Sequence, residues 1–201
     1  MNTIAKIATG AILAVGLSTS AMADTVINFD DVGASGLIGG FYHSFGVDFS
    51  NAEFAANFSL SGTSPPTGVR APGTYVFGLN NAVAGVFTGT ASSVSIRGID
   101  VGEAGIRLEA YDASNVLLGF DQFIGVGIGV GTFADLVVNA AGIKSFKFAQ
   151  AGPCCGDGVV FDDLSFSSGG VPEPAAWGLM ILGFGGVGAS IRRRRTAASA
   201  A

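Results

Sequence analysis

Between residues 24 and 166, short runs rich in Val, Ile, Phe and Thr alternate with clusters of Gly, Pro, Asn, Asp and Ser. Their spacing is roughly 8–12 residues, the rhythm of strands joined by turns. The predicted strands are Thr25–Phe29, Gly46–Ser50, Asn57–Leu60, Thr74–Leu79, Ala82–Phe87, Ser93–Ile99, Ile106–Tyr111, Val116–Phe120, Thr132–Val138, Ile143–Ala149 and Val159–Phe166. No amphipathic helical window lies between them, so the pattern predicts an all-β, antiparallel β-sandwich of jelly-roll type.

Two segments show the period of two well. In 105–111, Ile106, Leu108 and Ala110 share one face while Arg107, Glu109 and Tyr111 share the other. In 143–149, Lys144, Phe146 and Phe148 alternate with Ile143, Ser145 and Lys147, and the two Phe side chains are expected in the core. Asp112-Ala113-Ser114-Asn115 reads as a hairpin turn, since Asp and Asn tolerate left-handed backbone and form Asx turns. The stretch 61–73, with Pro65, Pro66 and Pro72, reads as a surface loop. Composition supports strands over helices. The chain holds 32 Gly and 16 Phe, and Gly weakens helix interiors while Phe suits a half-buried pleated surface.

The two ends break the strand pattern. Residues 1–23 combine Lys6, an apolar run over 7–17 and the small residues Ala21 and Ala23 around Met22, the layout of a cleaved signal helix. This predicts passage through the Sec translocon, cleavage by signal peptidase and a mature chain starting at Asp24. The sandwich is then expected over 24–166 and a flexible linker over 167–171. Residues 175–191 carry no charge and are followed by Arg192, Arg193, Arg194 and Arg195. A helix of that length covers about 26 Å, enough for one transmembrane span, with Trp177 at an interface and the arginines on the cytoplasmic side. Residues 196–201 are expected as a disordered cytoplasmic end.

In order, Pro172, Glu173, Pro174, Trp177, the glycine-rich apolar stretch and Arg192–Arg195 resemble the PEP-CTERM sorting signal, in its variant with Trp three residues after the motif. The same kind of segment is also called an ice-binding protein C-terminal domain. The resemblance covers 172–195 and implies a Gram-negative bacterium that makes exopolysaccharide. It implies recognition by exosortase, a membrane-embedded cysteine-protease-like enzyme, and cleavage near the proline motif. Lipid would then hold the precursor only temporarily, in the inner membrane, before release to the cell surface or extracellular matrix.

Charge narrows the chemistry. Residues 24–169 hold fourteen acidic and five basic side chains. That balance argues against nucleic acid, which needs a basic stripe to replace phosphate counterions. The expected domain opens with Phe29-Asp30-Asp31 and closes with Phe161-Asp162-Asp163. Paired terminal strands would gather Asp30, Asp31, Asp162 and Asp163 at one edge, where Ca²⁺ would relieve their repulsion. The alternative is that these aspartates only end strands and form Asx turns. The clustering resembles the structural calcium site of jelly-roll carbohydrate-binding modules, and Leu108–Ala113, Leu117–Gly119 and Phe161–Phe166 are similar to PEP-CTERM ectodomains of that type. Cys154 and Cys155 are adjacent, so they form either a strained vicinal disulfide or two free thiols.

Catalytic signals are sparse. His43 is the only histidine, and no glycine-serine-glycine elbow accompanies it. Adjacent aspartates on a strand point to opposite faces, so neither pair forms a glycosidase dyad alone. The glycine-rich run 125–131 lacks the Lys-Ser/Thr of a phosphate loop. The expectation is therefore a non-enzymatic exported protein with glycan contact. A secreted polysaccharide hydrolase using Asp31 or Asp162 with His43 is the alternative. Ice binding would need a regular flat array of Thr, which the domain lacks.

Overall fold

The computed structural model describes residues 24–31, 36–56, 64–125, 127, 132–152, 157–168, 180–181 and 183–186. The chain divides into two compact units, the larger spanning Met22–Glu173. Its described strands are β1 (Asp24–Ile27), β2 (Gly36–Leu37), β3 (Val47–Ser50), β4 (Glu53–Ala56), β5 (Thr67–Arg70), β6 (Val83–Ile99), β7 (Ile106–Tyr111), β8 (Leu117–Phe123), β9 (Phe133–Gln150) and β10 (Val160–Ser168). All pairings between them are antiparallel.

Two long strands organise the rest. The first part of β6 pairs with β3 on one side and with 145–148 of β9 on the other. Its second part pairs with β10 and with 133–139 of β9. Between these parts the β6–β9 register shifts twice, around Ala91. Such shifts bend and twist a strand, so β6 and β9 pass from one layer into the other. One layer reads β8-β7-β9-β6-β3, and the other runs from β9 through β6 and β10 to β5, β4 and β2, with β1 also on β10.

Phenylalanines fill the space between the layers. Phe146 and Phe148 of β9 are fully buried, as their alternation predicts. Phe146 meets Phe49 of β3 at 6.0 Å and Phe87 of β6 at 5.2 Å. Phe148 meets Phe161 of β10 at 4.6 Å, and Phe87 meets Phe166 at 4.7 Å. Glycine is required beside these rings: a Cβ on Gly85 would lie 2.2 Å from Phe146 Cζ. Ile143 is buried too, although strict alternation puts it opposite Phe146. Gly142, at φ +79°, and the register shift nearby reset the phase between Ile143 and Phe146.

Several expected boundaries move. The strands expected at 82–87 and 93–99 are one strand, β6, and those at 132–138 and 143–149 are one strand, β9. Residues 74–79 do not form a strand; they run into a 3-10 turn at Leu79–Asn81 and make one bridge, Gly78 to Gln150. The proposed proline loop contains β5, which follows a cis Pro65–Pro66 peptide. This strand was hidden because distant partners hold it: Gly68 packs against Val160 and Phe161, where a Cβ would lie 2.5 Å from Val160 Cγ1. The strand expected at 57–60 and most of the glycine-rich run lie outside the described residues.

Truncating Phe146 to Ala removes a ring shared by both layers. It is expected to lower unfolding stability by about 3–5 kcal/mol. Denaturant titration of the purified protein checks this, and a loss below about 1 kcal/mol would contradict the packing described.

Candidate functional site

The chain ends of the sandwich do meet. β1 lies against the second half of β10, with Ile27 opposite Leu164 and Asp24 opposite Ser167. Beyond Ile27 the backbone turns through Phe29 at φ +57°. Asp30 then serves as a tie to the β5 segment. Its Oδ1 accepts the Thr67 N–H at 2.9 Å and its Oδ2 accepts the Ser64 hydroxyl at 2.9 Å. On β10, Asp163 adopts φ +49° where the register to β6 shifts, so the two aspartates do not follow regular alternation. Asp162 is fully buried, and its Oδ1 accepts the Asp163 N–H at 2.7 Å. Asp163 lies 3.9 Å from the Arg97 guanidinium.

These four carboxylates share one electrostatic neighbourhood. Burial pushes the Asp163 carboxyl above the usual range; Arg97 opposes this, while Asp30 and Asp135 add to it. Burial likewise raises the Tyr42 phenol, helped by Asp31 and then by Asp30 and Asp162. Among the described residues, no group of three or more His, Cys, Asp or Glu is placed to hold a metal ion. Asp30 is committed to Ser64 and Thr67, Asp163 leans on Arg97, and Asp31 is exposed.

His43 joins neither Asp31 nor Asp162 in an ion pair. It sits in a 3-10 turn, His43–Phe45, with Nδ1 3.0 Å from both carboxylate oxygens of Asp48. The His43 side chain is 69% exposed and that of Asp48 45%, so water screens the pair and its net stabilisation is small.

A different surface joins polar and aromatic groups. On the outer face of β7 and β8, Arg107 stands opposite Gln122 and Glu109 opposite Phe120. Arg107 stacks on the Phe120 ring at 3.7 Å, donates through Nε to Glu109 at 2.7 Å and through Nη1 to Gln122 at 3.2 Å. Tyr111 donates its hydroxyl to the other oxygen of Glu109, and the Lys147 ammonium lies 5.2 Å from the Tyr111 ring centre. Burial, then the hydrogen bond to Glu109 and its charge, push the Tyr111 phenol up to about 12. Phe120 keeps 54% of its surface exposed. The alternation in 105–111 already put Arg107, Glu109 and Tyr111 on one face. The hairpin to a strand at 116–120 was expected as well; that strand runs on to Phe123 and so adds Gln122 to the face.

The signal-cleavage residues Ala21 and Ala23, the Cys154–Cys155 pair, and Pro172, Glu173, Pro174, Trp177 and Arg192–Arg195 lie outside the described residues. Of the expected span 175–191, residues 180–181 and 183–186 are helical, with Met180, Ile181 and Phe184 exposed. Among the described residues no helix is long and apolar enough to cross a membrane. The order of proline motif, apolar stretch and arginine cluster is decisive at the level of sequence. Residues 170–195 match the PEP-CTERM protein-sorting motif. The chain therefore carries a PEP-CTERM segment directly after its last described strand.

Comparison with curated proteins finds no match. Among solved structures, the chain is similar to the K2 cleaved adhesin domain of Lys-gingipain, at 12% identity and a TM-score of 0.46, over 72% of this chain and 99% of that one. It is also similar to a family 6 module, CsCBM6-3 from Clostridium stercorarium in complex with cellobiose, at 18% identity and a TM-score of 0.36, over 72% of this chain and 93% of that one. A family 35 carbohydrate-binding module from Clostridium thermocellum gives 14% identity and a TM-score of 0.37, over 73% and 98%. Scores of this size carry no functional argument.

Tyr111 provides a pH test of the outer face. A free phenol ionises near pH 10, whereas Tyr111 holds its proton to about 12. Between these values the native state keeps a proton that the unfolded state has lost, so stability falls as pH rises through that window. Replacing Tyr111 with Phe is expected to flatten this part of the stability–pH curve. Denaturation measured on either side of pH 10 checks it, and identical slopes in both proteins would refute the assignment.

Proposed function

We propose that this chain is an exported, non-enzymatic surface protein whose sandwich is delivered by its PEP-CTERM segment. The observation that carries the proposal is the match of that segment at 170–195. In this reading the signal at 1–23 takes the chain across the inner membrane, and the apolar stretch 175–191 with Arg192–Arg195 holds it there. Exosortase then cuts near Pro172–Pro174 and frees the domain to the cell surface or the exopolysaccharide matrix. Four arginines in succession stay on the cytoplasmic side because moving charge through the bilayer is costly.

Blocking the cut tests this. Replacing Pro172, Glu173 and Pro174 together with Ala is expected to leave a longer, membrane-bound product, while the unaltered chain yields a shorter one outside the inner membrane. Cell fractionation with immunoblotting reads both. Unchanged processing would rule out the motif as the cleavage signal.

The finer reading is that the domain touches a glycan through the outer face of β7, β8 and β9. Its support is the exposed Phe120 ring beside Arg107, Gln122 and Tyr111, an apolar plane fringed by hydrogen-bonding groups. Sugar rings stack through their C–H faces on such planes and place their hydroxyls against such fringes. His43 is paired with Asp48 in the open, and nothing in that pair favours the hydrolase alternative. Phe120→Ala is expected to weaken retention of the protein on exopolysaccharide by about tenfold, corresponding to about 1.4 kcal/mol. Co-sedimentation with polysaccharide measures it. Equal retention of both proteins would remove the face from the reading, and no retention of either would remove the glycan.

A further inference from the structure

The turn that leaves β6 buries a carboxylate that the sandwich does not use. Asp100 follows the last residue of β6 at φ +60°, and the next N–H, that of Val101, returns to the Thr132 carbonyl at 3.1 Å. Only 8% of Asp100 is exposed, and its Oδ1 is fully buried without a hydrogen-bond partner among the described residues. The charge that acts on it is that of Asp157, which precedes β10; with burial, it holds the Asp100 carboxyl above its usual range. The two segments are pressed together. A Cβ on Gly102 would sit 1.7 Å from Asp157 Oδ2, so only glycine lets this carboxylate reach the β6–β7 turn.

Among the described residues, each basic side chain has a partner other than Asp100. Arg70 is bound to Glu53 at 2.7 Å, Arg97 to Asp135 at 2.7 Å and Arg107 to Glu109 at 2.7 Å. Lys144 donates to the carbonyls of Phe87, Thr88 and Gly89, and Lys147 lies over Tyr111. These are all the bases of residues 24–169. A buried carboxylate oxygen lacking a partner, as on Asp100, is costly unless a counter-charge arrives from outside.

We propose that Asp100 and Asp157 are the carboxylate ligands of a divalent cation of the calcium class, held between the β6–β7 turn and the entry to β10. Calcium takes six to eight oxygens and readily accepts backbone carbonyls and water beside two carboxylates. Carbonyls are dense here: a Cβ on Gly125 would meet the Gly102 oxygen at 1.9 Å and the Glu103 oxygen at 2.6 Å. The contrast with Asp30 is chemical. Asp30 has both oxygens occupied by donors from Thr67 and Ser64, whereas Asp100 keeps an oxygen with none.

The test uses the full-length chain in detergent, stripped of metal and titrated with calcium chloride by calorimetry, with thermal unfolding alongside. One saturable site and a melting temperature several degrees higher with calcium are expected. Asp100→Asn and Asp157→Asn should each weaken binding by about tenfold or more, because each removes one of two anionic ligands. Asp163→Asn should bind as the unaltered chain does. Absence of binding, equal binding by the Asp100→Asn protein, or loss of binding in Asp163→Asn alone would each overturn the proposal. So would a rise in melting temperature on acidification that calcium does not reproduce, since a proton would then neutralise the pair. If the Asn variants do not fold, the unaltered chain still decides. Calcium affinity must fall as pH drops from neutral towards the carboxylate range, and an affinity independent of pH refutes the site.

Discussion

The contact between Phe146 and Phe148 of β9 and the rings of the facing strands is the interaction on which the rest of the sandwich depends. Phe146 reaches Phe49 and Phe87, and Phe148 reaches Phe161, so one strand ties β3, β6 and β10 together. Small side chains elsewhere follow from the same constraint. Gly85 lies under Phe146 and Gly68 lies against Val160 because the rings and strands approach too closely for a Cβ.

Charge is arranged around this apolar centre rather than within it. Of the five bases in residues 24–169, three are paired with carboxylates, Lys144 caps carbonyls and Lys147 covers an aromatic ring. The surplus of acid then has two fates. On the surface, as at Asp31, water screens it at little cost. At the buried ends of strands it needs donors, and Asp30 has them while Asp100 does not. The same residue type thus means different things at two places, and the distinction rests on the hydrogen-bond partners of each oxygen.

Much of the architecture was legible because alternation is a local signal. Residues 106–111 and 146–148 show their buried faces without reference to any partner, and the joining of the chain ends through β1 and β10 followed from their matching strand patterns. What failed was whatever depended on distant contacts. β5 lies in a proline-rich segment whose strand character comes from Asp30, Val160 and Phe161. β6 and β9 read as four strands because their bulges interrupt the alternation at the very point where each crosses between layers. The terminal aspartates illustrate the same limit. Their shared edge followed from topology, but the partners that Asp30 and Asp163 meet there, Ser64, Thr67 and Arg97, do not neighbour them in sequence.

The PEP-CTERM segment was readable for the opposite reason. A sorting signal is recognised as a short linear arrangement, so its meaning is carried by order along the chain: prolines, apolar stretch, arginines. A binding face is assembled from several strands, and its meaning is carried by register. Phe120 stands opposite Glu109 only because a shift between Ala110 and Tyr111 leaves the first five residues of β7 in strict pairing with β8. Without that bulge the register set at the turn would put Phe120 opposite Leu108, facing inward. The address of the protein is therefore robust to changes in the domain, whereas any activity of its outer face depends on a single bulge in the β7–β8 pair.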